Sequence, residues 1–178
     1  MISVELVVGL KIPDVTALTA ANAIRRRLGY DEALESLERA DYYRIDLNVD
    51  ERDLAEKLAR EMAEQTNLFV NPNKHMYDVR FPDDHGANVQ DDGVWVVNVL
   101  VTSPDDSSGD GIASALTGRL GYDQVESVET GVLWTMRLRA ESEEQAREVA
   151  ESITVTRSQS QGVLMNPHFQ EYEVWMGA

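Results

Sequence analysis

The chain opens with Ile2, Val4, Leu6, Val8 and Leu10 alternating with less apolar residues, the period of a half-buried strand. Pro13-Asp14 breaks that pattern and predicts a turn and a helix start, after which Ala17, Ala20, Ala21, Ile24 and Leu28 fall at helical spacing. Arg25, Arg26 and Arg27 crowd the last turn, where cations complement exposed carbonyls, and Gly29 is the left-handed residue that stops the helix. A strand over 34–37, a turn at 39–41 and a strand with Tyr43, Ile45, Leu47 and Val49 inward come next. Asp50 is placed to cap a helix with Leu54, Ala55, Leu58, Ala59 and Met62 on one face. Asn71-Pro72 then marks a rigid bend, because proline fixes its own φ and keeps the residue before it out of the helical region. A strand through Tyr77, Val79 and Phe81 completes the order β-α-β-β-α-β.

Residues 82–92 have no apolar period and contain Gly86 and several aspartates. Asp83, Asp84, His85, Asp91 and Asp92 match no metal-loop spacing, so the segment reads as a solvated linker. Beyond it the β-α-β-β-α-β order returns. Residues 95–101 are apolar on both faces except at Asn98, which predicts deeper burial than in the first strand. A Ser-, Asp- and Gly-rich loop over 103–111 precedes a helix bearing Ile112, Ala115, Leu116 and Leu120. Trp134, Met136, Leu138 and Ala140 alternate with Thr135, Arg137 and Arg139, and Ser142 with Gln145 signs a capping box ahead of Ala146, Val149, Ala150 and Ile153. Tyr172, Val174 and Met176 form the last strand.

Particular residues recur with this order. Leu28-Gly29-Tyr30-Asp31 returns as Leu120-Gly121-Tyr122-Asp123, Glu35-Ser36 as Glu126-Ser127, Asn71-Pro72 as Asn166-Pro167, and Tyr77-Asp78-Val79 as Tyr172-Glu173-Val174. The spacing between copies grows slightly towards the end, and the polar stretch 156–162 has room for the extra residues. The pattern reads as a tandem duplication: repeat 1 over 1–81, the linker over 82–92 and repeat 2 over 93–178. The expected fold is α+β, a two-layer sandwich of antiparallel sheet and helices. Each repeat has too few elements to cover both faces of its sheet, so the other repeat, related by a pseudo-twofold axis, is expected to supply the cover.

Composition narrows the function. The chain has 178 residues, 43% of them hydrophobic, enough for an ordinary core. A formal net charge of −16 argues against nucleic acid and anionic membranes as partners, since both are held by Lys and Arg. There is no cysteine, hence no disulfide scaffold, thiolate site or cysteine nucleophile. With neither a secretory signal nor a membrane-length apolar run, a cytoplasmic protein is expected.

Phosphate-binding, nucleophile-elbow, zinc-helix and dinucleotide motifs are all missing, and His75, His85 and His168 stand alone. The sequence therefore nominates no catalytic residue, metal site or cofactor. Its landmarks are Tyr30 and Tyr122 behind the corner glycines, and Asn71, Pro72, Asn166 and Pro167 at the two bends. Each is either structural or faces a partner.

In order and spacing these residues resemble the PurS subunit of phosphoribosylformylglycinamidine synthase, matched twice in one chain. The first copy supplies Leu10-Lys11, Pro13, 28–31, Glu35-Ser36, Asn71-Pro72 and 77–79; the second supplies 120–123, 125–128, 140–142, Asn166-Pro167 and 172–174. The resemblance implies a fused pseudo-dimer, compatible with a monomer in isolation. It also implies a non-catalytic assembly subunit without a cofactor, bridging PurL-type synthetase and PurQ-type glutaminase subunits so that ammonia passes between them in purine biosynthesis. The family's usual Asp-Pro-Gln-Gly turn is replaced by Asp14-Val15-Thr16-Ala17 and Asp106-Ser107-Ser108-Gly109, and Asn73-Lys74-His75 stands where acidic residues are common. The alternative from another class is a regulatory amino-acid or nucleotide sensor, because paired modules of this kind also bind small ligands.

Overall fold

The structure, a computed structural model, describes residues 1–86, 90–156 and 162–177. Residues 87–89 of the expected linker and 157–161 of the stretch read as an insertion lie outside the described residues. In chain order the elements are β1 (Ile2–Leu10), α1 (Val15–Leu28), β2 (Leu34–Leu47), α2 (Arg52–Gln65), β3 (His75–Arg80), a 3-10 turn (Pro82–Asp84), β4 (Gln90–Asp91), β5 (Val94–Thr102), α3 (Ser108–Leu120), β6 (Val125–Arg139), α4 (Glu143–Thr154) and β7 (Glu171–Met176). The fold is α+β, with antiparallel strand pairs.

Local chemistry accounts for most of these boundaries. Asp14 caps α1, its Oδ1 accepting from Thr16 N at 2.7 Å and Ala17 N at 3.2 Å. Ser142 Oγ accepts from Gln145 N at 3.2 Å, and the Gln145 side chain reaches back to Glu141 N at 2.7 Å, so the capping box shifts its return bond by one residue. Burial is continuous from Val94 to Val101, as the two-sided apolar pattern of β5 predicts.

Three expectations change. The turn at 39–41 is absent and 34–47 forms one strand, because no glycine, proline or asparagine reverses the chain there and Asp41 is paired with Val8 in the β1–β2 ladder. The β-α-β-β-α-β order persists with its two middle strands joined end to end. The cap of α2 is Glu51, without a side-chain cap bond, and not Asp50, which lies one residue too early. Ala63 joins Ala55, Ala59 and Met62 on the buried face of α2, whereas Leu54 is exposed. Finally, α3 starts at Ser108, ahead of Ile112, and takes Gly109 and Gly111 into its first turn.

Two compact units divide the chain, and each draws on both halves of the sequence. Unit 1 comprises Met1–Ile12, Ala40–Asp84 and Asp105–Gly131; unit 2 comprises Pro13–Arg39, His85–Pro104 and Val132–Ala178. Strands β2 and β6 contribute one segment to each.

In unit 1 the strands run in the order β3-β1-β2-β6. Val4, Leu6 and Val8 of β1 with Ile45 and Leu47 of β2 form a face covered by Ala55, Ala59 and Met62 of α2 and Leu116 of α3. The opposite side of β1 carries the buried Glu5, which accepts a hydrogen bond from the Tyr42 hydroxyl at 2.7 Å.

In unit 2 the order is β2-β6-β5, and β4 and β7 share the remaining edge of β5, opposite Val94-Trp95 and 97–102 respectively. Ala17, Ala21 and Ile24 of α1 and Ala146, Ala150 and Ile153 of α4 cover Val97, Val99, Trp134, Met136 and Leu138. The buried Asn98 accepts from Thr135 Oγ1 at 2.8 Å and donates to the Gly177 carbonyl. Fully buried side chains such as Ile24, Met62 and Leu116 each contribute about 1.5–3 kcal/mol by leaving water.

Gly109 lets α3 sit against β6, for a Cβ there would lie 1.9 Å from the Val128 carbonyl oxygen. Gly109→Ala is expected to destabilise by roughly 2–4 kcal/mol through forced backbone movement, whereas Gly118→Ala, in open space on the same helix, stabilises by about 0.5–1 kcal/mol. Urea midpoints of the two variants against the parent measure the contrast.

Candidate functional site

The repeated landmarks are distributed so that each unit holds a corner tyrosine from one sequence half and an Asn-Pro bend from the other. Unit 1 contains Tyr122 with Asn71 and Pro72; unit 2 contains Tyr30 with Asn166 and Pro167.

The two corners share one backbone. Gly29 (φ 79, ψ 22) and Gly121 (φ 77, ψ 23) end α1 and α3 in the left-handed conformation that glycine adopts without a Cβ clash. The next N–H closes the helix in both, Tyr30 N to Ile24 O at 3.3 Å and Tyr122 N to Leu116 O at 3.1 Å. Both tyrosine carbonyls then receive the following strand, from Leu34 N at 2.9 Å and Val125 N at 3.1 Å. Tyr30 packs against the unit 2 core. The Tyr122 hydroxyl lies 3.4 Å from Glu61 Oε1, and partial burial together with that carboxylate pushes its pKa above the ordinary value.

The Asn-Pro bends match as closely. Asn71 Oδ1 accepts from Asn73 N at 3.0 Å, and Asn166 Oδ1 from His168 N at 3.1 Å. Asn71 O takes the N–H groups of Lys74 and His75, and Asn166 O those of Phe169 and Gln170. A side chain four residues on accepts each asparagine N–H: His75 Nδ1 at 3.2 Å in one bend and Gln170 Oε1 at 2.9 Å in the other. The asparagine oxygens thus hold the bends in shape.

The divergent turns before α1 and α3 also keep one device. In unit 2, Asp14 caps α1 and its Oδ2 lies 3.6 Å from Arg39. In unit 1, Asp106 Oδ1 accepts from Ser108 N at 2.9 Å and Ser108 Oγ at 2.5 Å, while Thr130 Oγ1 donates to Oδ2 at 2.8 Å. In both cases the aspartate ties the start of a helix to the strand that follows it. The Ser108 hydroxyl, the Ser108 N–H and the Thr130 hydroxyl hold the Asp106 pKa below its ordinary 3.8.

Sequence reasoning missed several polar contacts in unit 1 because they cross strands. Asp46 accepts from Ser3 Oγ at 2.5 Å and Ser127 Oγ at 2.7 Å, joining β1 and β6 to β2. Ser3 and Asp46 line a surface groove of about 560 Å³ together with Arg44, Arg52, Phe81, Asp83 and Glu129. The Arg52 guanidinium stacks 3.9 Å from the Phe81 ring centre and pairs with Asp84, and Arg44 lies 3.7 Å from Glu129, so both arginines of the groove face a carboxylate. Of the linker residues, Asp84 makes that pair in unit 1, and in unit 2 the His85 ring stacks on Trp175 at 4.3 Å. Among the described residues no cluster of three His, Asp or Glu side chains has metal-binding geometry, and no helix is long and apolar enough to cross a membrane.

Removing the asparagine oxygen from either bend, by Asn71→Ala or Asn166→Ala, is expected to cost about 1 kcal/mol, read from chemical denaturation. Asp106 gives a sign to the acid limb. Its folded pKa is depressed, so its stabilisation is fully present above the ordinary carboxylate range and is lost as pH falls through the lower folded value. Asp106→Asn therefore flattens stability against pH below about pH 4, measured by thermal melts at fixed ionic strength.

No curated protein matches the chain. A family match does exist, and it covers the descent from β5 through α3, β6 and α4 to β7. Residues 97–177, holding the second corner and the second Asn-Pro bend, match the family described as PurS: Phosphoribosylformylglycinamidine (FGAM) synthase.

Proposed function

We propose that the chain is a non-catalytic assembly subunit of FGAM synthase and a fused pair of PurS-like repeats. The family match to residues 97–177 carries this reading. The first half supports it by repeating the matched half in backbone detail: a left-handed glycine after the first helix, an Asn-Pro bend, an aspartate that accepts from a backbone N–H at the start of that helix and the same pairing order. In that role it bridges a synthetase and a glutaminase subunit, so that ammonia released from glutamine reaches the ATP-dependent ligase without escaping to solvent. Glutamine hydrolysis and ATP use belong to the partners, and this chain supplies geometry.

Reconstitution tests the proposal. With the synthetase and glutaminase subunits of the same organism, glutamine-dependent formation of formylglycinamidine ribotide is expected to rise at least about tenfold on adding this chain, with all three co-eluting on gel filtration. Equal activity and assembly without the chain would overturn the reading. Amino acids and nucleotides alone are expected to leave its Tm unchanged, whereas a sensor would be stabilised by its ligand.

A further inference from the structure

We propose that the exposed face of α1 in unit 2 is a docking surface for a protein segment that carries an apolar side chain at one end and carboxylates at the other. The proposal rests on the assembly reading and names the chemistry of one contact within it.

A helix turns about 100° per residue, so Val15, Leu18, Asn22 and Arg26 fall within about 80° of one another, on the side away from the buried Ala17, Ala21 and Ile24. All four are exposed, Val15 at 73% and Leu18 at 53%. Val15 and Leu18 stand about one turn apart, which puts two branched aliphatic side chains side by side in water. Arg26 follows on the same stripe, about 12 Å beyond Leu18 along the axis. The face is thus apolar where the helix begins and cationic where it ends.

The fold does not require this chemistry. Aligning Leu28-Gly29 with Leu120-Gly121 sets the buried Ala17 and Ile24 of α1 over the buried Gly109 and Leu116 of α3, so the inward faces correspond. The outward stripe differs throughout: Val15, Leu18, Asn22 and Arg26 correspond to Ser107, Asp110, Ser114 and Gly118. Helix termination does not need Arg26 either. Cations near a helix C-terminus complement its exposed carbonyls, yet α3 has Arg119 alone in its last turn, the counterpart of Arg27. Arg25 is engaged with β2, donating from Nε to Leu34 O at 3.1 Å and from Nη2 to Glu35 O at 2.6 Å. Arg26 is left over, and among the described residues it pairs with no carboxylate.

Charge selects the occupant. The chain has a net charge of −16, and α2, α3 and α4 all carry acidic side chains, whereas α1 carries none. An acidic segment is repelled by most of the chain and attracted here, so Arg26 sets its register while Val15 and Leu18 cover its apolar end. A second copy of the chain, with the same net negative charge, is the poorer match.

Binding is measured by titrating the parent, V15S/L18Q and R26E into the purified synthetase subunit, the glutaminase subunit and the two together, with circular dichroism as the fold control. At least one titration is expected to show binding by the parent, weakened about tenfold by V15S/L18Q and about fivefold or more by R26E, with added salt weakening the parent more than R26E. Should one variant fail to fold, the other carries the test. Binding by the parent that either folded variant matches in full overturns the docking site and leaves the assembly reading intact. Self-association of the parent that V15S/L18Q abolishes, seen by sedimentation, assigns the face to a second copy and overturns the acidic segment. No binding by the parent in any titration overturns the assembly reading, and the docking site with it.

Discussion

The apolar face of α1 is covered by strands that lie far along the chain. Ala17, Ala21 and Ile24 belong to the first half of the sequence, yet they share a core with Val97, Val99, Trp134 and Met136. The reverse holds in unit 1, where Leu116 of α3 lies among Val4, Leu6, Ile45 and Met62. Neither half of the sequence contains a complete core. Because a stable domain needs one face of each helix and sheet buried, each unit exists only when both halves contribute.

Periodicity revealed the strands and helices but not which of them share a core. The αL glycines, the Asn-Pro bends and the helix start at Pro13-Asp14 act on neighbours a few residues away, and so are legible in the sequence. Arg39 and Asp41 interrupt the apolar alternation of β2, so the sequence alone predicts a turn between two strands there. The chain instead passes from one unit to the other at this point, and Asp41 keeps its place opposite Val8. Gly109 and Gly111 give the start of α3 the composition of a loop, whereas contact with the Val128 carbonyl is what requires glycine at 109. Long-range packing of this kind leaves no periodic trace.

The candidate site shows the same division. The backbones of the bends could be anticipated from asparagine followed by proline, since both act locally. The cross-strand contacts of Asp46, and the Glu5–Tyr42 pair, could not, because their partners are assigned by register. Where the two units match in backbone they differ in side chains: Lys74 and Met76 follow one bend, Phe169 and Glu171 the other. A hydrogen-bonded frame can be repeated while the chemistry mounted on it diverges.

The shared cores also bear on how the chain reaches its native state during synthesis. Translation delivers β1, α1, β2 and α2 before the later elements, but unit 1 is incomplete until residues 105–131 have emerged, and unit 2 until β7 has. Val4 and Leu6 therefore lack Leu116, Val125 and Val128, and Ile24 lacks Val97, Trp134 and Met136, until those distant segments have been made. Contacts of such large sequence separation carry a loop-closure cost before they return any burial, which slows folding and lengthens the exposure of sticky intermediates. Completion of either unit is in effect postponed until its last contributing segment, 105–131 for unit 1 and β7 for unit 2, has been made.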